Sequence, residues 1–162
     1  YKGHDVLLEA LALVKAPLVV RLCGEGDTSE LKERAESLGV SSRVVFVPDP
    51  ADIPTELSKA QFAIHPSTQE GLSTAILEEL ASGLPIIAAD VGGNPLLVTE
   101  RTGHLVPVRD PTALAAAIDE LASNAQKRVE FGRNARAHAA EFSWPACVAR
   151  YEDLICEGRA RR

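Results

Sequence analysis

Short β-branched runs alternate along the chain with longer stretches in which apolar residues recur at three- and four-residue steps. Leu7, Leu8, Leu11 and Val14 recur in this way, so Val6 to Val14 reads as a helix, with Asp5 placed to cap it and Pro17 to stop it. Leu18 to Cys23 is a compact apolar run ending at Gly24, the pattern of a buried strand. The alternation continues with a charged helix from Thr28 to Leu38, a strand at Val44 to Val47 and a short helix at Ile53 to Lys59. A strand at Gln61 to His65 follows, closed by Pro66, then a helix from Gly71 to about Ser82. The apolar face of that helix is read as Leu72, Ile76, Leu77 and Leu80, leaving Glu78 and Glu79 off it. Beyond it come a strand at Pro85 to Ala89, a short helix at Asn94 to Thr99 and a strand at Gly103 to Val106. The remainder is helical: Pro111 to about Ser123, Gln126 to about Ala140, and Trp144 to about Glu157 with Ser143 as its cap.

Strand–helix alternation with apolar strands predicts an α/β fold, a doubly wound parallel sheet of Rossmann-like type. Crossovers are then right-handed, and ligands belong at the carboxyl ends of the strands. No strand precedes the first helix, although such a unit normally opens with one. The chain also lacks methionine and begins Tyr1-Lys2-Gly3. The expectation is a single domain over residues 1–162 that is a piece of a longer protein, its first strand lying upstream of Tyr1.

Composition narrows the function classes. With 162 residues the chain can bury a core without staples. The net charge of −6 argues against a general nucleic-acid binder, which needs surplus cations to face phosphates. Cys23, Cys147 and Cys156 are odd in number and form no C-x-x-C pair, so neither a disulfide framework nor a metal site is expected. No apolar run has the length of a membrane span, and no signal peptide is visible. The expected location is the cytoplasm, at most peripheral at the inner face of the membrane, with any membrane contact made through the missing part.

Candidate chemistry concentrates in Pro66-Ser67-Thr68-Gln69-Glu70-Gly71-Leu72-Ser73-Thr74-Ala75-Ile76-Leu77-Glu78. A strand ends, a loop follows and a helix begins. The first helical turn presents backbone N–H groups without internal partners, and the helix dipole favours an anion there. Gly71 permits close approach to the backbone, while Ser73 and Thr74 add hydroxyls. Glu70 and Glu78 flank this turn, roughly 12 Å apart on helical spacing. Carboxylates accept hydrogen bonds well from vicinal hydroxyls. A sugar, a diphosphate and a ribose in sequence would suit such a site. Spacing alone does not favour that role: the same two glutamates suit an ordinary solvated helix, since acidic residues near a helix N-terminus are favoured by the dipole alone.

This segment resembles the E-x7-E motif of retaining glycosyltransferases of family 4, the C-terminal donor-binding domain of a GT-B enzyme. The likeness extends through the whole chain in order: Lys2-Gly3-His4-Asp5 with Leu7, Leu8, Ala10 and Leu11; Val20 to Gly26; Val44 to Pro48; Glu78 to Ala88; Val91-Gly92-Gly93-Asn94-Pro95; Gly103 to Pro107; Asp110 to Leu114; and Phe142-Ser143-Trp144. The resemblance implies that Glu70 contacts the transferred sugar and that Glu78 holds the ribose. It implies that Leu72, Ser73 and Thr74, beside Gly71, offer amides to the diphosphate, and that Lys2 neutralises the leaving phosphate. Gly24 and Gly26 would turn the chain beside the nucleotide, and Val47 would line the base. Glu70 and Lys2 are thus the catalytic candidates. The implied donor is a nucleotide-diphosphate sugar, with no metal and no further cofactor. The implied partner is an N-terminal acceptor domain absent from this chain.

Some positions depart from the family pattern. Val47-Pro48 replaces a usual glycine near the base, Glu79 replaces a usual alanine, and Leu96 stands where an acidic residue is common. His65 is read as a strand-end packing residue. An epimerase or a glycosyl phosphorylase on the same architecture, and a non-catalytic flavodoxin-like module, remain alternative readings.

Overall fold

A computed structural model of the chain describes residues 1–48 and 52–160, with side chains described through residue 156. The elements in order are α1 (His4–Leu13), β1 (Val20–Cys23), α2 (Ser29–Ser37), β2 (Val44–Val47), α3 (Ile53–Ser58), β3 (Ala63–His65) and α4 (Thr74–Ala81). They continue with β4 (Ile86–Ala89), α5 (Asn94–Leu97), β5 (Gly103–Val106), α6 (Pro111–Ser123), α7 (Ala125–Ala139) and α8 (Trp144–Ala160). Every predicted helix and strand is present, most of them one to three residues shorter at an end. Ends shorten because a terminal turn lacks internal hydrogen bonds and a strand counts only where it is paired.

All strand pairs are parallel, as the alternation requires. They form two hydrogen-bonded groups, β1–β2 and β3–β4–β5, rather than the one sheet expected from the sequence. One core nevertheless underlies both groups. Leu7, Leu8 and Leu11 of α1 pack in a cluster that takes in Val20 and Leu22 of β1 and also Ile64 and Ile87 of β3 and β4. A second cluster on the opposite face joins Ile76 and Leu80 of α4 to Ile86, Ala88, Leu97 and Ala135. β4 is buried at all four positions because helices cover both its faces. β1 alternates half-buried and exposed.

Local chemistry sets the helix ends that matter for the site. α1 starts from Gly3, not from a cap by Asp5: Gly3 has φ 71°, and Leu7 N–H bonds to its carbonyl at 3.1 Å. A Cβ on Gly3 would lie 2.0 Å from the Pro66 carbonyl oxygen, so only glycine lets α1 begin against the loop after β3. α4 starts at Thr74 rather than Gly71, because the Ser73 side chain takes the N-cap and accepts Ile76 N–H at 3.4 Å. Leu72 therefore lies outside the helix and is exposed, not part of its apolar face. At the other end of α4, Arg136 of α7 donates to the carbonyls of Ala81 and Ser82 at 3.3 and 3.2 Å, where the dipole favours a cation.

The candidate donor site at the mouth of the parallel strands

Tyr1, Lys2 and Gly3 run across the loop that leaves β3. Thr68 N–H donates to the Tyr1 carbonyl at 2.8 Å, and the Gly3 backbone rests on Pro66. This brings together two candidates that are 68 residues apart: Lys2 Nζ donates to Glu70 Oε1 at 2.8 Å. Ser67 Oγ donates to the same oxygen at 2.9 Å. The ammonium side chain is 48% exposed, whereas the Glu70 side chain is only 10% exposed. Burial pushes the Glu70 carboxyl upward and is the largest single influence on it. The hydrogen bonds from Lys2 and Ser67, with the Lys2 charge, together outweigh it and hold the carboxyl below the usual carboxylate range. The bond to Glu70 in turn pushes the Lys2 ammonium above its usual range, against a smaller opposing effect of burial.

Behind the loop stands the Gly92-Gly93 turn. Gly93 N–H donates to the Gly71 carbonyl at 2.9 Å. A Cβ on Gly92 would stand 1.8 Å from the Glu70 carbonyl oxygen, and one on Gly93 would stand 2.5 Å from that of Gly71. The turn is thus a side-chain-free backstop that sets the height of residues 70 and 71. In front, an open depression of about 450 Å³ is lined by Tyr1, Gln69, Glu70, Gly71 and Val91.

Gly71, Leu72 and Thr74 are exposed at the N-terminal side of α4. The intrahelical ladder begins with Leu77 N–H on the Ser73 carbonyl, and Ser73 Oγ takes Ile76 N–H. The Thr74 and Ala75 N–H groups therefore have no partner within the helix and carry the positive end of its dipole. Ser73 itself is buried and occupied as a cap, so its first duty is to α4.

Glu78 is exposed, one to two turns along α4, and lines a different depression with Leu77, Ala81, Arg136, Ala139, Ala140, Phe142 and Ser143. Glu70 and Glu78 thus line two different depressions. Gly24 and Gly26 lie in the exposed turn after β1, at φ 143° and 128°, beside Val47 at the end of β2, whose carbonyl accepts Gly24 N–H at 3.1 Å. These three sit at the carboxyl end of β1 and β2, Lys2 and Glu70 at that of β3.

Three features escaped the sequence reading. Ser67, 1% exposed, is the third contact of the Lys2–Glu70 pair; its signal was the three-residue spacing to Glu70. The Gly92-Gly93 backstop was visible only as a turn. His65 does more than pack: its Nε2 meets Glu79 Oε2 at 2.6 Å, with both side chains about 15% exposed. Glu79, off the apolar face of α4 in the sequence reading, is therefore a half-buried partner of β3.

Parallel strands flanked by helices, with a helix start, a carboxylate and a lysine at their carboxyl ends, define a Rossmann-like domain. The family model described as "Glycosyl transferases group 1" matches residues 1–124, and the chain belongs to that family. A D-inositol 3-phosphate glycosyltransferase of Corynebacterium glutamicum (strain R) is 34% identical over 95% of this chain and 40% of its own length. One of Salinispora tropica is 33% identical over 99% of this chain and 37% of its own. The chain thus spans about two fifths of the length of the curated relatives it matches. Among solved structures, the sucrose-phosphate synthase of Thermosynechococcus elongatus superposes with a TM-score of 0.85 at 28% identity, covering 99% of this chain and 43% of that one. The Anabaena HepE structure in complex with UDP superposes equally well, at 28% identity over 100% of this chain and 46% of that one. The chain matches less than half of each of these two structures, which share its Rossmann-like α/β fold.

Proposed function

We propose that this chain is the donor-binding domain of a retaining glycosyltransferase that moves a sugar from a nucleotide sugar to an acceptor held by a further, N-terminal domain. The observation that carries this reading is the Lys2–Glu70 pair at the edge of an exposed, amide-rich turn. Support comes from the HepE structures, described as complexes with UDP and with UDP-glucose.

The chemistry follows from the donor and acceptor capacity of each group. An ammonium has three N–H donors, of which Glu70 takes one. The other two are available to diphosphate oxygens. Cleaving the glycosidic bond places negative charge on the leaving phosphate, and a cation there stabilises the transition state more than the ground state. The amides before and within the first turn of α4, from Gly71 through Ala75, add preorganised donors and the helix dipole. Glu70 accepts from hydroxyls of the transferred sugar and orients the ring. Glu78 accepts from the ribose, and Gly24, Gly26 and Val47 border the base. The lysine and the helix start supply the positive charge that a metal ion supplies in other transferases.

The direct test is a thermal-shift screen of UDP, GDP and ADP sugars, with sugar phosphates in the same panel. A nucleotide sugar is expected to raise Tm more than any sugar phosphate. Glu78→Ala is expected to cut that rise by weakening the ribose contact by about 1–3 kcal/mol. A shift unchanged in this variant removes Glu78 from the ribose site.

A further inference from the structure

Glu70 presents a problem of orientation. Its carboxylate has two chemically equal oxygens, and its last torsion is soft and two-fold. If Lys2 alone held it, the plane of the carboxylate could swing about that single contact, and the second oxygen would have no fixed direction. Lys2 is also a poor permanent anchor. It is half exposed, sits on a long flexible stem, and under the reading above it must also serve the diphosphate.

Ser67 differs on every count. It is 1% exposed, has one side-chain torsion, and follows Pro66, whose carbonyl is pressed against Gly3. Its hydroxyl donates to Glu70 Oε1 at 2.9 Å, the same oxygen that Lys2 approaches at 2.8 Å. Oε1 therefore receives two donors, while Oε2 receives none among the described residues. Glu70 also lines the open depression.

We propose that Ser67 is a positioning residue which divides the labour of the Glu70 carboxylate: Oε1 is held inward, and Oε2 is left to accept a hydroxyl of the transferred sugar. The proposal rests on the donor-site reading, and it adds a sequence of events. When a diphosphate takes up the other donors of the Lys2 ammonium and loosens its hold on Glu70, the Ser67 bond remains. The carboxylate then keeps its orientation while its cation is shared with the leaving group. A buried hydroxyl suits this duty because it has no net charge to lose to the phosphate and no exposed rotamer to adopt.

The test compares Ser67→Ala with Ser67→Cys. The thiol keeps the volume approximately but donates weakly, so the order Ser, Cys, Ala grades the hydrogen bond at nearly constant packing. In the complete transferase, Ser67→Ala is expected to lower kcat about tenfold, with a smaller change in KM for the donor, since misorientation acts on the transition state. Its acidic limb in the pH dependence of kcat/KM is expected to move to higher pH, because the ionised carboxylate has lost a donor. Ser67→Cys should fall between. A role in folding alone would lower stability and leave the acidic limb in place.

A second readout is independent of activity. Carbon-13 NMR titration of the Glu70 carboxyl in this 162-residue chain should show it ionising at higher pH in Ser67→Ala than in the parent. An unmoved Glu70 titration together with an unmoved acidic limb overturns the proposal. Failure of the parent chain to bind any nucleotide sugar overturns the donor reading instead, and the NMR titration still reports on the Ser67 bond.

Discussion

At the scale of single residues, Lys2 and Glu70 act as one unit. Each perturbs the other in the direction of its charged form. Glu70 titrates below its unfolded value in the folded state. Its contribution to stability is therefore complete above the unfolded carboxylate range and is lost as pH falls through the lowered folded value. Lys2 titrates above its unfolded value, so its contribution is complete below the ordinary lysine range and is lost only as pH rises beyond it. Between these limits the pair is fully formed. Glu70→Gln is accordingly expected to lower Tm by a constant amount around neutral pH. The gap between variant and parent should close as pH falls below the unfolded carboxylate range and through the lowered folded value, where the parent carboxylate protonates as well. A gap that stays constant down to pH 2 would sink this account of the pair.

At the scale of elements, the site depends on backbone approaches that leave no room for a side chain. Gly92 combines φ 57° with a Cβ position 1.8 Å from the Glu70 carbonyl oxygen. Gly24 also has a positive φ, but a Cβ there meets nothing within 4 Å. The two positions separate strain from collision. Gly24→Ala is expected to cost about 1–2 kcal/mol, the price of an unfavourable dihedral. Gly92→Ala should cost about 3 kcal/mol or more, because it must also displace the loop carrying Glu70. Urea denaturation measures both, and equal costs would mean that the turn does not brace the loop. The same logic explains why the α4 start differs from the sequence reading. Hydrophobic spacing placed Leu72 on the helix, but Ser73 can cap only if the helix begins one residue later, and Leu72 is left in the exposed loop.

At the scale of the whole molecule, two parallel strand groups share one core beneath α1, and the candidate groups collect at their carboxyl ends. α8 is the exception to this compaction. Trp144 is 81% exposed, Tyr151 69% and Leu154 66%, although the helix is amphipathic in sequence. No helix among the described residues is long and apolar enough to cross a membrane. If the acceptor and part of the catalytic machinery reside on a further domain, the present chain should bind the nucleotide weakly and transfer nothing. Calorimetric titration with nucleotide sugars and a sensitive assay for donor consumption check the two halves of that statement. Turnover by the 162-residue chain alone would refute it.

The order of helices and parallel strands was legible in the sequence because apolar periodicity and punctuation by glycine and proline are local properties. The glutamate pair around a helix start was by itself open to two readings, and it was the ordered motifs along the whole chain that pointed to the family to which the chain belongs. Local patterns carry no information about which distant groups meet. The union of Lys2 with Glu70, the Gly92-Gly93 brace and the His65–Glu79 contact all join residues brought together by packing, and the burial of Ser67 beside its near neighbour Glu70 is likewise a product of packing. The division into two strand groups likewise belongs to the tertiary structure, because hydrogen bonding between strands is decided by neighbours in space rather than along the chain.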